Sequence, residues 1–282
     1  MLGIIGGSGL YQLEGLKIDT ERNLVTPFGK PSAAISIGHY AGQQVLFLAR
    51  HGSQHQLLPH EINYRANIYA LKSLGARRLL SFSAAGSLRE QIKPGDLALV
   101  EQYFDHTRGR RKQSFFGDGI AAHIATANPV CAALNADIAK AAAAIDQPLH
   151  QHKTYACVEG PRLGTRAESL FLRDAANCDL VGMTNLPEAF LAREAQIAYS
   201  SLCLITDYDC WMDDPARHVS VEAFFQVYGA TLQRAIAVLQ PLLSEPFTKT
   251  PASIREALNS AMLTPAEQLN DAQRQWFEVL TQ

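Results

Sequence analysis

The chain has 282 residues, 47% apolar and 18% charged, with a formal net charge of -2. That length accommodates one large domain or two small ones. The near balance of charge excludes the basic footprint of a nucleic-acid or anionic-membrane binder, and no apolar run approaches the roughly 18 residues of a bilayer span.

In chain order, Leu2–Gly6, Ala34–Ile37, Val45–Ala49, Leu79–Ser83, Leu97–Val100, Thr154–Val158, Leu180–Met183 and Leu202–Ile205 read as strands, each a short apolar run. Helical periodicity interleaves with the later ones. Ile62–Leu74 has an apolar stripe that stops before Gly75, and Val130–Ile145 is rich in alanine. Thr165–Ala176, Pro187–Ala195 and the long Val221–Leu243 complete the set. Strands alternating with helices predict a three-layer α/β/α domain. Two strand-rich segments near the start, with little helix between them, predict a central mixed sheet that is partly barrel-like.

The composition breaks at Ser244-Glu-Pro-Phe-Thr-Lys-Thr-Pro251. This divides the chain into a main domain, 1–243, and a helical tail, 244–282, packing on that domain or on a neighbouring subunit. Thr250-Pro251 and Thr264-Pro265 each read as an N-cap followed by proline at the first helical position. Thr264 with Glu267 has the spacing of a capping box. Met262, Leu269, Trp276, Phe277 and Leu280 give the tail an apolar face to cover. The opening Met1-Leu-Gly-Ile-Ile has neither the basic nor the apolar region of a secretion signal. Five scattered cysteines fit reduced, buried thiols, so a cytoplasmic protein is expected.

The chemistry gathers at strand ends, where open α/β sheets bind ligands. The Leu202–Ile205 run exits into Thr206-Asp-Tyr-Asp209, two carboxylates two residues apart. Held against apolar walls, Asp207 and Asp209 would have raised pKa values and could donate protons. Capping by one and solvation of the other is the plainer alternative. Gly6-Gly-Ser-Gly9 follows the first strand and offers backbone N–H groups and the Ser8 hydroxyl to an anion. It lacks the third glycine of a dinucleotide fingerprint, because Gln12 occupies that position. Arg50-His51-Gly52 places a guanidinium beside an imidazole, a pair suited to phosphate or carboxylate. His51, His55 and His60 lack accompanying metal ligands at a fixing spacing, so no metal is expected. Ser83-Ala-Ala-Gly-Ser87, Glu159-Gly-Pro-Arg162 and Gly182-Met-Thr-Asn185 end three further strands. Each alone fits an ordinary turn; together with the carboxylates they suggest one shared pocket.

These motifs carry a resemblance. Gly6-Gly-Ser-Gly-Leu10, Thr26-Pro-Phe-Gly-Lys-Pro-Ser32, Leu48-Ala-Arg-His-Gly52, Asn63-Tyr-Arg-Ala-Asn67, Ala85-Gly-Ser-Leu-Arg89 with Pro94-Gly-Asp96, Glu159-Gly-Pro-Arg162, Arg166-Ala-Glu-Ser169, Met183-Thr184 with Pro187-Glu188, and Thr206-Asp-Tyr-Asp-Cys-Trp211 follow one another in order. Over roughly residues 2–243 the chain resembles the methylthioadenosine phosphorylase branch of the trimeric purine nucleoside phosphorylases.

The resemblance implies phosphorolysis of 5'-methylthioadenosine to adenine and 5-methylthioribose 1-phosphate. It implies no cofactor, with inorganic phosphate as co-substrate, and a homotrimer. It assigns phosphate to Ser8, Arg50, His51, Ser83 and Thr184, and ribose to the neighbourhood of Ala84 and Met183. Adenine would meet Asp207 and Asp209, with Leu163 and Gly164 lining the base site. The methylthio group would touch Val221 and His123, the latter from a neighbouring subunit. Ser8 and Ser83 replace the threonines common in the family and keep the hydroxyl. Leu163-Gly164 replaces the common Phe-Ser and removes a ring that would stack on the base. A phosphorylase of methylthioinosine or other 6-oxopurine nucleosides, a water-using nucleosidase and a silent nucleoside-binding protein are the competing readings.

Overall fold

The computed structural model describes residues 1–7, 15–212 and 221–282; for residues 221–225 and 266 it describes the backbone only. Its strands are β1 (Leu2–Gly6), β2 (Lys17–Arg22), β3 (Ile35–Tyr40), β4 (Gln43–Ala49), β5 (Arg78–Ser87), β6 (Leu97–His106), β7 (His150–Val158), β8 (Leu180–Gly182) and β9 (Ala198–Asp207). The helices are α1 (Tyr64–Ser73), α2 (Ala132–Ala143), α3 (Arg166–Leu170), α4 (Glu188–Glu194), α5 (Val221–Ala237), α6 (Leu239–Ser244), α7 (Ala252–Arg255) and α8 (Asp271–Thr281).

The strands form one mixed sheet in the order β2-β3-β4-β1-β5-β8-β7-β6-β9. β9 pairs antiparallel with β6 and also parallel with β5, which closes β5, β8, β7, β6 and β9 into a ring. The expected partly barrel-like mixed sheet is therefore the observed one. Consecutive residues of the central strands go to opposite cores. Ile5, Leu46, Leu48 and Leu79 pack with α1, α4 and α8 residues, whereas Ile4, Val45, Phe47 and Leu80 pack with residues of α2, α5 and α6. Burial on both faces requires continuous apolar runs, which is why these strands were visible in sequence.

β2 was not. Lys17-Ile-Asp-Thr-Glu-Arg22 is exposed along its whole length and, among the described residues, pairs with β3 alone at the sheet edge. A charged edge strand protects the sheet from intermolecular pairing, and its exposure leaves no apolar alternation to read.

The tail differs from expectation at both caps. Thr264 Oγ1 accepts from the Ala121 N–H at 2.8 Å, and a 3-10 turn, Ala266–Gln268, follows. The capping box belongs instead to Asn270 and Gln273 at the start of α8. Thr250 likewise precedes α7, whose N-cap position is Pro251. With its oxygen engaged by a distant backbone N–H, Thr264 does not serve as a local helix cap. Trp276 of α8 packs against Phe28 and Phe116, with ring centroids 5.5 and 6.0 Å apart. Leu258, Leu269, Trp276 and Leu280 are all buried in the same core as α1.

Candidate active site

The strand order brings the C-terminal ends of β1, β4, β5 and β9 to one edge. Arg50 follows β4, and its backbone N–H donates to Gly6 O at the end of β1, 2.9 Å. Its guanidinium is 1% exposed. Nε donates to Glu188 Oε2 (2.7 Å), Nη2 to Glu188 Oε1 (3.0 Å) and Ser81 Oγ (2.6 Å), and Nη1 to Phe82 O (3.1 Å). Burial works against the Arg50 charge, but Glu188 outweighs it and holds the pKa above the ordinary arginine value. The sequence reading gives this guanidinium to an oxyanion, and most of its donors are engaged within the protein. Of the five N–H donors of an arginine, four are committed to the protein's own acceptors.

His51 is partly buried, and its Nδ1 lies 2.8 Å from Leu57 O. A carbonyl only accepts, so Nδ1 carries the hydrogen and Nε2 is left as an acceptor. Burial, reinforced by Arg50 and His55, lowers the His51 pKa to about 4 against the opposing Leu57 bond, so the ring is neutral near pH 7. Its ring stacks on His55, centroids 4.5 Å apart. Ser83 on β5 and Thr184 after β8 are both buried, with their hydroxyl oxygens 2.7 Å apart. Ala84 is half-buried beside Ser83. Ser8 lies outside the described residues.

The two carboxylates stand at the other end of the same strand edge. Asp207 pairs with Gly86, three positions along β5 from Ser83, a span of about 10 Å in extended chain. Asp207 Oδ2 accepts from Thr206 Oγ1 (2.7 Å) and Oδ1 from the Asp209 N–H (2.8 Å). Burial raises the Asp207 pKa, and these two hydrogen bonds offset part of the rise. Asp209 is buried with a φ of 51°. Its pKa is raised by burial and by the Asp207 charge, against the Ser169 hydroxyl beside it. A Cβ on Gly86 would stand 2.8 Å from Asp207 Oδ1, so glycine there is what lets the carboxylate lie against the strand. A cavity of about 100 Å³ opens beside Asp209, with Gly160, Gly164, Glu168 and Arg162 among its walls.

Met183, half-buried, lies over Gly160, where a Cβ would come 2.5 Å from its sulfur. Gly160 also has a φ of 66°, a second reason for glycine. Gly164 O accepts from Cys210 Sγ at 3.3 Å, which ties that turn to the Asp209 turn. Leu163 is 58% exposed and is not gathered into the cluster. His123 is exposed; its N–H donates to Ala261 O (2.8 Å), so it sits with the tail rather than with Ser83, Thr184 or Asp207. Val221 begins α5, and its side chain lies outside the described residues.

Two further groups escaped the sequence reading. Glu188, visible only as part of a motif, anchors Arg50 and also accepts from Tyr199 Oη at 2.8 Å. Arg111, in the basic run Arg108-Gly-Arg-Arg-Lys112, is buried and bonded to the turns around Glu159 and Met183. Nothing local marks either one, since their partners lie far away in sequence.

Residues 1–240 match the phosphorylase superfamily. An S-methyl-5'-thioadenosine phosphorylase of Thermosynechococcus vestitus is 47% identical over 287 residues, covering 99% of this chain and 97% of the relative. The chain belongs to the S-methyl-5'-thioadenosine phosphorylase family. A relative of the same name in Geobacter sulfurreducens is 43% identical, covering 94% of this chain and 92% of its own. Among solved structures, a methylthioadenosine phosphorylase from an antarctic soil metagenomic library superposes with a TM-score of 0.91 at 41% identity, covering 99% of this chain and 98% of the other. Methylthioadenosine phosphorylase from Schistosoma mansoni in complex with adenine gives a TM-score of 0.85 at 32% identity, covering 93% of this chain and 98% of the other. Within this chain, the geometry around Ser83, Thr184, Asp207 and Asp209 is what bears on chemistry.

Proposed function

We propose that this protein is a pentosyltransferase that cleaves the N-glycosidic bond of S-methyl-5'-thioadenosine with inorganic phosphate, releasing adenine and 5-methylthioribose 1-phosphate. One arrangement carries the reading: Asp207, a half-buried carboxylic acid of raised pKa, pairs with Gly86 of β5, three residues or about 10 Å of extended chain from Ser83 of the hydroxyl pair. That span suits a nucleoside with phosphate at one end and the base at the other.

Glycosyl transfer passes through an oxocarbenium-like sugar. The attacking phosphate is already an anion, so it needs positioning and electrostatic support more than a base. Ser8, Ser83 and Thr184 supply hydroxyls, the Arg50 charge lies behind them, and neutral His51 accepts from a protonated phosphate oxygen through Nε2. Ala84 and Met183 flank the ribose. Protonated Asp207 donates to N7 of the departing purine, while its other oxygen accepts from the 6-amino group. A 6-oxopurine presents an acceptor there instead, and an unmade buried hydrogen bond costs about 1–3 kcal/mol, roughly fivefold to a hundredfold or more in preference. Asp209 orients the Asp207 carboxyl through its backbone N–H.

The reaction uses no cofactor beyond the co-substrate phosphate. The enzyme works as a cytoplasmic homotrimer in which His123 of each subunit reaches the methylthio group bound by the next; among the described residues no helix is long and apolar enough to cross a membrane.

The experiment is a nucleoside panel assayed with and without phosphate. Phosphate-dependent release of adenine from methylthioadenosine, faster than release of hypoxanthine from inosine, is expected. Faster cleavage of inosine, or undiminished cleavage without phosphate, overturns the reading.

A further inference from the structure

We infer that Arg111 is a positioning residue for this reaction: its guanidinium sets the relative placement of the two turns that carry the base and the ribose-phosphate groups. The inference rests on the functional reading above and concerns a buried side chain that bonds to the turns around Glu159 and Met183.

Arg111 is 5% exposed, within the loop that follows β6. Nη1 donates to Met183 O (2.7 Å) and Leu186 O (2.6 Å), and stands 3.3 Å from Tyr64 Oη. Nη2 donates to Glu159 O (2.9 Å) and Val158 O (3.3 Å), and Nε to Glu159 Oε1 (3.0 Å). The guanidinium also lies over the Tyr64 ring, 5.6 Å from its centroid. One planar fork therefore bridges backbone carbonyls of two segments, 158–159 and 183–186, that come from different strands. Met183 immediately precedes Thr184 of the hydroxyl pair, and Glu159 immediately precedes Gly160, over which the Met183 side chain lies.

The loop itself is fastened at both ends. Glu159 Oε2 accepts from the Arg108 N–H (2.7 Å), and the buried Glu194 accepts from Ser114 Oγ and the Phe115 N–H, each 2.7 Å. These bonds tie the loop that carries Arg111 to the 158–159 segment and to α4. A guanidinium with donors on both edges can hold two sets of carbonyls at a fixed separation, whereas an ammonium is a point charge without that geometry. Loss of the bridge lets the Met183–Thr184 backbone shift against the Gly160 turn. Displacements of about 1 Å cost up to about a hundredfold in rate.

The test uses R111K and E159Q in the full chain. For R111K, kcat/KM for methylthioadenosine is expected to fall between about tenfold and a hundredfold per folded molecule, with KM for phosphate raised as well because Thr184 follows Met183. E159Q weakens the same bridge from the turn side and is expected to shift the same constants in the same direction by less. Added ethylguanidinium is expected to restore part of the activity of R111A. Wild-type kcat and KM values in folded R111K, with only its melting temperature lowered, overturn the inference; should R111K fail to fold, unchanged constants in E159Q do so. Failure of the functional reading is seen separately, in the wild-type enzyme, as no phosphate-dependent cleavage of methylthioadenosine. The nucleoside that the wild type does cleave then serves as the substrate for both variants.

Discussion

Arg50 and Glu188, 138 residues apart in the chain, are joined in the core by two hydrogen bonds of 2.7 and 3.0 Å with both side chains 1% exposed. The pair links the turn after β4 to the start of α4, and Tyr199 from β9 completes it. Three elements that surround the phosphate end of the proposed site are thus fixed to one another by a single ionic knot.

Glu188→Ala would leave Arg50 buried without its counter-charge. Breaking a buried ion pair from one side costs about 3–5 kcal/mol, because the remaining charge stays desolvated. Chemical denaturation should show a loss of that size, together with a raised KM for phosphate. A midpoint unchanged from wild type would falsify the structural role of the pair.

Asp207→Asn keeps the shape of the side chain and removes the acidic proton. Nucleoside binding is expected to survive while kcat falls by at least about a hundredfold. The wild-type enzyme should lose activity as pH rises through the raised Asp207 pKa, since only the protonated acid donates to the base. That limb of the profile should vanish in the variant, and its persistence would assign the limb to another group.

Gly86→Ala separates activity from stability. The added methyl would meet Asp207 Oδ1 at 2.8 Å, Val181 Cγ1 at 3.3 Å and Asp209 Cβ at 3.4 Å. The nearest atom is the end of a movable side chain, so the fold accommodates it by turning the carboxylate aside. A rate loss of about tenfold or more is expected with only a small shift in melting temperature. Full activity would mean that the Asp207 carboxylate need not lie where it does.

Glu194 gives a pH dependence of stability. Burial raises its pKa to about 7, against the bonds from Ser114 and Phe115 that favour the charged form. A pKa raised on folding means that the folded state holds the proton more tightly. The contribution is therefore full below the ordinary glutamate value and is lost as pH rises through about 7. The change is on the order of 3 kcal/mol between about pH 4.5 and pH 8. Glu194→Gln should flatten that part of the stability profile; a slope equal to wild type would place its origin elsewhere.

What could be read from the residues alone was whatever depends on near neighbours along the chain. Among the described residues, apolar runs identified eight of the nine strands, most plainly where a strand is buried on both faces and is apolar throughout. The helix covering Tyr64–Ser73 was marked by its stripe and by Gly75, and the polar turns ending β1, β4, β5, β7, β8 and β9 marked where chemistry would gather. The exposed β2 was silent, since solvent on all sides imposes no pattern. The tail caps were misplaced because Thr264 found an N–H 143 residues away in sequence.

Tertiary structure alone decided the fate of the charges. In sequence a charged residue carries the default expectation of solvent, and only a partner can make burial tolerable. Arg50 met Glu188, Arg111 met Glu159 and four carbonyls, and Glu194 met a loop 79 residues upstream. Each pairing joins segments that the fold brings together from far apart in the chain, and no local spacing contains it.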